Sequence, residues 1–223
     1  GNQSASILLS VNAASDGLFT GLANQTVSAT VTEQTLVATL GLSSIQEDAG
    51  VQATTLTITR TNSTSTAALP VTISSDDTSE ATVQMTATIP MNETSVTVPI
   101  DAVDDSFVDG TQTVTLTVSA TDYVPATVLL DVTDNEVAGF TVTESDSSTE
   151  VDETGTMDDL SVVLTGRPQF DVIIDISTTD GDEVAFDTTS LTFTQSNWDT
   201  PQTFNVTGED DFLIDGTQSA TIT

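Results

Sequence analysis

The sequence predicts an all-β chain made of repeated domains of sandwich size, and three observations carry that reading. Short runs rich in Val, Ile and Thr recur along its 223 residues, separated by Gly, Asp, Asn, Ser and Pro, which is the pattern of half-buried strands between turns. No stretch sustains a helical period. Finally, an acidic stretch returns: Asp104-Asp105-Ser106-Phe107-Val108-Asp109-Gly110-Thr111-Gln112 reappears as Asp210-Asp211-Phe212-Leu213-Ile214-Asp215-Gly216-Thr217-Gln218, at a constant offset of 106. Each copy lies between two strand-like runs, so it reads as a loop repeated once per domain of roughly 100 residues, the size of a β-sandwich.

Aligning the repeats sets the expected boundaries. Gly1-Asn2-Gln3-Ser4-Ala5-Ser6-Ile7 matches Gly110-Thr111-Gln112-Thr113-Val114-Thr115-Leu116 and Gly216-Thr217-Gln218-Ser219-Ala220-Thr221-Ile222. Residues 1–33 are therefore expected to hold the last two strands of one repeat, and 34–135 a complete repeat. Residues 136–223 read as a third repeat that stops before its seventh strand. In the complete repeat, strands are expected near 36–45, 53–60, 69–74, 81–89, 94–103, 111–120 and 126–133. An incomplete sandwich exposes a strand edge. Either the natural chain continues on both sides, or the orphan strands complete the open repeat of a neighbouring molecule.

Charge narrows the function. Thirty-four acidic residues stand against Arg60 and Arg167, with no Lys or His, for a formal net charge of -32. Two arginines make no phosphate-binding footprint, which excludes nucleic acid and disfavours anionic membranes. Self-repulsion of this size destabilises a compact chain unless cations screen or bind it. There are no cysteines, so disulfides do not hold the fold, and no apolar run approaches the roughly 20 residues of a membrane span. Without His, Cys or Lys the usual nucleophile and base pairs cannot be assembled, and an enzyme is not expected.

These features together resemble the Calx-β domain repeats of large bacterial extracellular and surface proteins. The matching residues are Ser44-Ile45-Gln46-Glu47-Asp48-Ala49-Gly50, the acidic pair and Asp109-Gly110 of the loop, and Val132-Thr133-Asp134-Asn135-Glu136 at the repeat's end. In the third repeat they are Glu153-Thr154-Gly155, Leu164-Thr165-Gly166-Arg167-Pro168, Ser196-Asn197-Trp198-Asp199-Thr200-Pro201-Gln202-Thr203 and Val206-Thr207-Gly208-Glu209-Asp210-Asp211. The resemblance implies tandem immunoglobulin-like Greek-key sandwiches, about seven strands each, that bind Ca2+ through loops clustered at one end. The chain departs from the family at Glu33-Gln34-Thr35, where the run of acids that often ends a repeat is reduced to one.

Ca2+ takes six to eight oxygen ligands, and carboxylates on flexible loops suit it. In the complete repeat the expected ligands are Glu47, Asp76 or Asp77, Asp104, Asp105, Asp109, Asp134 and Glu136. In the third they are Glu153, Asp180 or Asp182, Asp210, Asp211 and Asp215. The competing reading is a solvated turn, since Asp and Gly also supply turn geometry.

Trp198 reads as packing at a sandwich edge rather than as a sugar platform. Arg60 and Arg167, each closing a strand run, are expected to pair with neighbouring acids. Sequons at Asn2, Asn24, Asn62, Asn92 and Asn205 are expected by chance in a chain so rich in Ser and Thr. The function expected from all this is a calcium-stiffened structural module of an extracellular, cell-surface array: a stalk, sheath or surface-layer segment. Its partners would be neighbouring repeats or copies of itself. The alternative is an adhesive or carbohydrate-binding module.

Overall fold

A computed structural model describes residues 3–12, 16–19, 22–61, 66–210 and 216–223. The chain is all-β apart from two short 3-10 turns, and it divides into two compact units. One holds the residues up to Val103 with Thr113–Val132; the other holds Asp104–Gln112 with Thr133–Thr223.

The first unit begins with an antiparallel hairpin, β1 (Gln3–Leu9) and β2 (Gln25–Val31). A two-layer sandwich follows. One sheet runs β3 (Thr35–Leu40), β5 (Thr54–Thr61), β9 (Ser95–Ala102), β7 (Ala81–Val83). The other runs β4 (Ser44–Gln46), β11 (Ala126–Thr133), β10 (Gln112–Ser119), β6 (Leu69–Ser75), β8 (Thr86–Ile89). Alternate side chains of each strand point to opposite faces, and the sequence places the apolar ones on a common side. Leu56 and Ile58, Val98 and Ile100, Val71 and Ile73, and Val114, Leu116 and Val118 are all buried, with Thr between them except at Pro99. Each fully buried aliphatic side chain contributes about 1.5–3 kcal/mol, so this alternation is the main source of the unit's stability.

Two expected strands are each split between the sheets. The run near 36–45 becomes β3 in one sheet and β4 in the other. It breaks at Gly41, where a Cβ would lie 2.7 Å from Thr55 Oγ1, and Leu42 N–H donates to Thr54 Oγ1 at 2.8 Å instead of to a ladder partner. The run near 81–89 splits likewise into β7, paired with β9, and β8, paired with β6. The run at 81–89 keeps its apolar alternation through the crossing, at residues 81, 83, 87 and 89, whereas at 36–45 the inward positions change phase between Leu40 and Ile45, with Gly41 at the break.

Arg60 is buried in this unit and its partners differ from the expected acids. Its guanidinium donates to the backbone carbonyls of Glu93 (Nε, 2.9 Å) and Ala67 (Nη1, 2.7 Å). The fork thus ties the carbonyls of residues 67 and 93 to β5. Replacing it with Met removes those charge-assisted hydrogen bonds, each worth about 1.5–3 kcal/mol. The urea midpoint of Arg60→Met is therefore expected to fall with an unchanged slope, as followed by circular dichroism.

The second unit pairs a four-stranded sheet, β12 (Phe140–Glu144), β13 (Met157–Leu164), β17 (Gln202–Gly208), β15 (Val184–Phe186), with a two-stranded one, β14 (Val172–Asp175) and β16 (Ser190–Phe193). Beyond β14, Ser177 exchanges backbone hydrogen bonds with Thr223 (2.8 and 2.9 Å), and Thr179 N–H donates to Thr221 O at 3.0 Å. Its core is smaller: Leu160, Val162, Leu164, Ile176, Leu191, Phe193, Phe204 and Val206 are buried, and Trp198 packs against them. Phe186 meets Phe204 edge to face at 5.9 Å. A cleft of about 1020 Å³ reaches this core between Phe140, Val142, Ile174, Phe204 and Ile222.

Candidate metal centre

Glu47 opens a 3-10 turn directly after β4, and Asp134 and Glu136 directly follow β11. β4 and β11 are neighbours in the five-stranded sheet, tied by a 3.0 Å bond from Asp131 N–H to Ser43 O. One sheet therefore delivers three carboxylates that are 87 and 89 residues apart in sequence (134 − 47 and 136 − 47). An oxygen of each lies within 4.8 Å of the others. Glu47 is only 2% exposed.

The acidic loop, residues 104–112, is organised around Asp134. Gly110 takes φ +77, a conformation that costs a residue with Cβ, and this turns two successive N–H groups toward one carboxylate oxygen. Asp134 Oδ2 accepts from Asp109 N–H at 2.8 Å and Gly110 N–H at 2.7 Å, while Oδ1 accepts from Glu136 N–H at 2.6 Å. Successive backbone amides of this kind form an anion-binding concavity. The loop's other flank is held by Arg167, whose guanidinium lies 4.2 Å from the Phe107 ring centroid. Arg167 also exchanges backbone bonds with Ser106 and Val108 at 2.8 Å. Here too an arginine expected to pair with acids does other work. Gly166 permits the approach, since a Cβ there would lie 2.5 Å from Val108 Cγ2.

The electrostatics of the loop are unbalanced. Burial opposes the charge of Asp134, yet the N–H groups of Gly110, Glu136 and Asp109 together hold its carboxyl below the ordinary 3.8. Asp109 moves the other way: burial first, then the charges of Asp105 and Asp134, push it up. Its Oδ1, like Glu136 Oε2, is buried and accepts no hydrogen bond. The stability Asp134 adds is present above its unfolded value and lost as pH falls through its lower folded value. For Asp109 the sign is opposite: the folded state favours its protonated form, so a cost appears as pH rises through its raised value. In chelator at pH 7, Asp109→Asn is therefore expected to melt above wild type, and the advantage should vanish in acid. A variant that melts below wild type at pH 7 contradicts this electrostatic account.

The remaining expected ligands are placed differently. Asp104 and Asp105 are exposed in the loop, and Asp105 Oδ1 caps Phe107 N–H at 2.7 Å. Asp76 Oδ1 accepts from Thr115 N–H of β10 at 2.6 Å, which lowers its pKa; Asp77 Oδ1 caps Ser79 N–H at 3.0 Å. In the second unit, Glu153 and Asp210 are exposed, and Asp180 Oδ1 lies 3.4 Å from Asp182 N. Asp211 and Asp215 fall outside the described residues, as do the sequons' Asn2 and Asn62. Among the described residues, Glu47, Asp134 and Glu136 form the one group of three or more potential ligands.

Two acids with structural consequences were not singled out from sequence. Glu80 is buried, although its position before β7 has no distinguishing motif. Asp152 rather than its neighbour Glu153 orders the turn, with Oδ1 accepting from Thr154 N–H at 2.9 Å. Asp-x-Thr is a recognisable turn signal.

The donor set is chemically suited to a hard divalent cation. Three carboxylate oxygens within 4.8 Å of one another lie close enough to share one Ca2+, whose oxygen ligands stand about 2.3–2.6 Å from the ion. Two carboxylates about 4 Å apart repel by roughly 4 kcal/mol at an effective dielectric of 20, and a cation removes that cost.

No family model matches the chain, and no curated protein sequence does. Among solved structures it is similar to CBD12 from CALX1.2, with 13% identity over 84% of this chain and 79% of that one, at a TM-score of 0.35. It is also similar to the D0-D1 domain of intimin, with 14% identity over 78% and 83%, at 0.34. The Yersinia pseudotuberculosis adhesin InvE gives 15% identity over 85% of this chain and 58% of that one, at 0.37. Similarities of this size assign neither family nor activity.

Proposed function

We propose that the chain is a non-catalytic, structural segment of an extracellular repeat array whose repeat ends bind Ca2+. Residues 1–33 would carry the last two strands of one Calx-β-like repeat, 34–135 a complete repeat and 136–223 the earlier strands of a third. The observation that carries the reading is the gathering of Glu47, Asp134 and Glu136 beside a loop whose Asp109 is pushed toward protonation. Bound Ca2+ would supply positive charge and oxygen coordination there. The chain's own part is to deliver Glu47 and Asp134 from adjacent strands and to aim the amides of Asp109 and Gly110 at Asp134.

Glu47, Asp134 and Glu136 are the primary ligands in this proposal, with Asp104, Asp105 and Asp109 close in sequence to complete the shell. The second unit's set is proposed on the repeat alone. Trp198 packs against the second core, which favours a structural segment over an aromatic sugar platform. A cell-surface setting, with other repeats or copies of the chain as partners, follows from the same proposal.

Small-angle scattering in calcium and in chelator tests the stalk role. The chain is expected to lengthen and stiffen with calcium, and identical scattering in both buffers would contradict that role.

A further inference from the structure

Five Asn-x-Ser/Thr triplets run through the chain, at Asn2, Asn24, Asn62, Asn92 and Asn205. Such a triplet is the acceptor of N-linked sugar when it lies on a surface loop of an exported chain. With 68 Ser and Thr among 223 residues, the eight Asn would form about two of them by composition alone (8 × 68/223). Composition therefore accounts for fewer than half, and the structure separates the triplets it describes.

Asn205 is closed to modification. It sits in β17, the strand between β13 and β15, where its Nδ2 donates to Asp187 Oδ2 at 2.7 Å and its backbone N–H to Asp187 Oδ1 at 2.9 Å. At Asn24 the side chains of Asn24 and Thr26 are exposed, but Gln25 and Thr26 are paired within the β1–β2 hairpin. The triplet at Asn92 lies wholly outside the strands, between β8 and β9, and all three of its residues are exposed.

The local geometry explains Asn92 but not Thr94. Glu93 N–H donates to Pro90 O at 3.1 Å and closes a turn, and Asn92, third of its four residues, takes φ +67, a conformation that turns reserve for Gly or Asn. Residue 94 carries no such demand. Thr94 supplies its backbone carbonyl to Arg60 N–H at 2.9 Å, a bond that any residue would make. Neither Asn92 Nδ2 nor Thr94 Oγ1 hydrogen-bonds to a described residue. The side chains that acceptor chemistry needs are thus both presented to solvent on one turn.

We propose that Asn92 is an acceptor of N-linked glycan. The transfer joins its Nδ2 to the anomeric carbon of a sugar carried on a polyprenyl phosphate or diphosphate. The bond from that carbon to the phosphate oxygen breaks, the lipid phosphate leaves with the bonding pair, and the amide gives up one proton. The lipid-linked donor and a membrane-bound oligosaccharyltransferase come from the producing cell, and Thr94 is the hydroxyl residue that the transferase reads. Such transfer needs the extracellular setting proposed above and is independent of calcium.

The test is mass spectrometry of peptides from the full-length protein, recovered from the surface of the cells that make it. The peptide carrying Asn92 is expected to exceed its sequence mass by one oligosaccharide, and the peptide carrying Asn205 to keep its sequence mass. Thr94→Ala, which retains the Asn92 amide, should lose that oligosaccharide, whereas Thr94→Ser should keep it. An Asn92 peptide at its sequence mass in surface-recovered protein overturns the proposal. So does a glycan that persists on Asn92 in Thr94→Ala, or one found on Asn205. Protein recovered only from inside the cell overturns the extracellular setting, and the acceptor role with it.

Discussion

Adding excess calcium to the chelated chain is expected to raise its melting temperature by roughly 10–20 °C, and Asp134→Asn is expected to abolish most of that rise. A site filled at a hundred times its dissociation constant adds about 2.7 kcal/mol to the folded state, and each kcal/mol moves the midpoint of a domain of this size by about 4–8 °C. Asp134 is the position to change because it is both a proposed ligand and the acceptor of the Asp109, Gly110 and Glu136 amides. Its replacement will also lower stability in chelator, since those amides lose a charged acceptor. The informative reading is therefore the calcium-dependent difference, measured by scanning calorimetry, and not the absolute midpoint. Asp175→Asn, an exposed strand position, should keep the full difference.

Phe193→Ala is expected to destabilise the second unit by about 3–5 kcal/mol, the range for truncating a buried aromatic side chain. Phe193 is fully buried, and the described core of this unit holds half as many buried apolar residues as the first, eight against sixteen. A loss of that size is a large share of the 5–15 kcal/mol typical of whole domains. The single Trp makes the effect separable, because Trp198 packs against the second core. Its emission should shift to the red at a lower temperature in the variant, while the β signal of the first sandwich persists. Fluorescence and circular dichroism transitions that stay coincident, at the wild-type temperature, would contradict the assignment of Phe193 as a keystone of a separate core.

Much of this architecture was legible in the sequence because its signals are local. Period-two alternation marked β5, β9 and β10, and Asp109-Gly110 marked the turn that the φ of Gly110 then required. The division of 81–89 between two sheets was not legible, since that run keeps the same alternation of apolar residues through the crossing; at 36–45 the phase change between Leu40 and Ile45, beside Gly41, was the one signal. Arg60 illustrates a second limit. Its charge invited pairing with acids, but its fork instead donates to the backbone carbonyls of Glu93 and Ala67. The gathering of Glu47 with Asp134 depends on β4 lying beside β11, a long-range adjacency that no spacing encodes. Acids such as Asp76 and Asp105 show why composition alone does not separate ligands from turn residues: each spends an oxygen on a nearby amide.

Isothermal titration of the full chain with calcium, set beside Glu47→Gln, tests the central claim most directly. Glu47 is the buried member of the proposed ligand set, and its replacement by Gln keeps the shape while removing the charge. The wild type is expected to release or absorb heat with saturation at a defined stoichiometry, and Glu47→Gln to lose one equivalent. A wild type that shows neither heat nor a change in melting temperature with calcium, or a Glu47→Gln titration that superimposes on it, would contradict calcium binding at Glu47, Asp134 and Glu136.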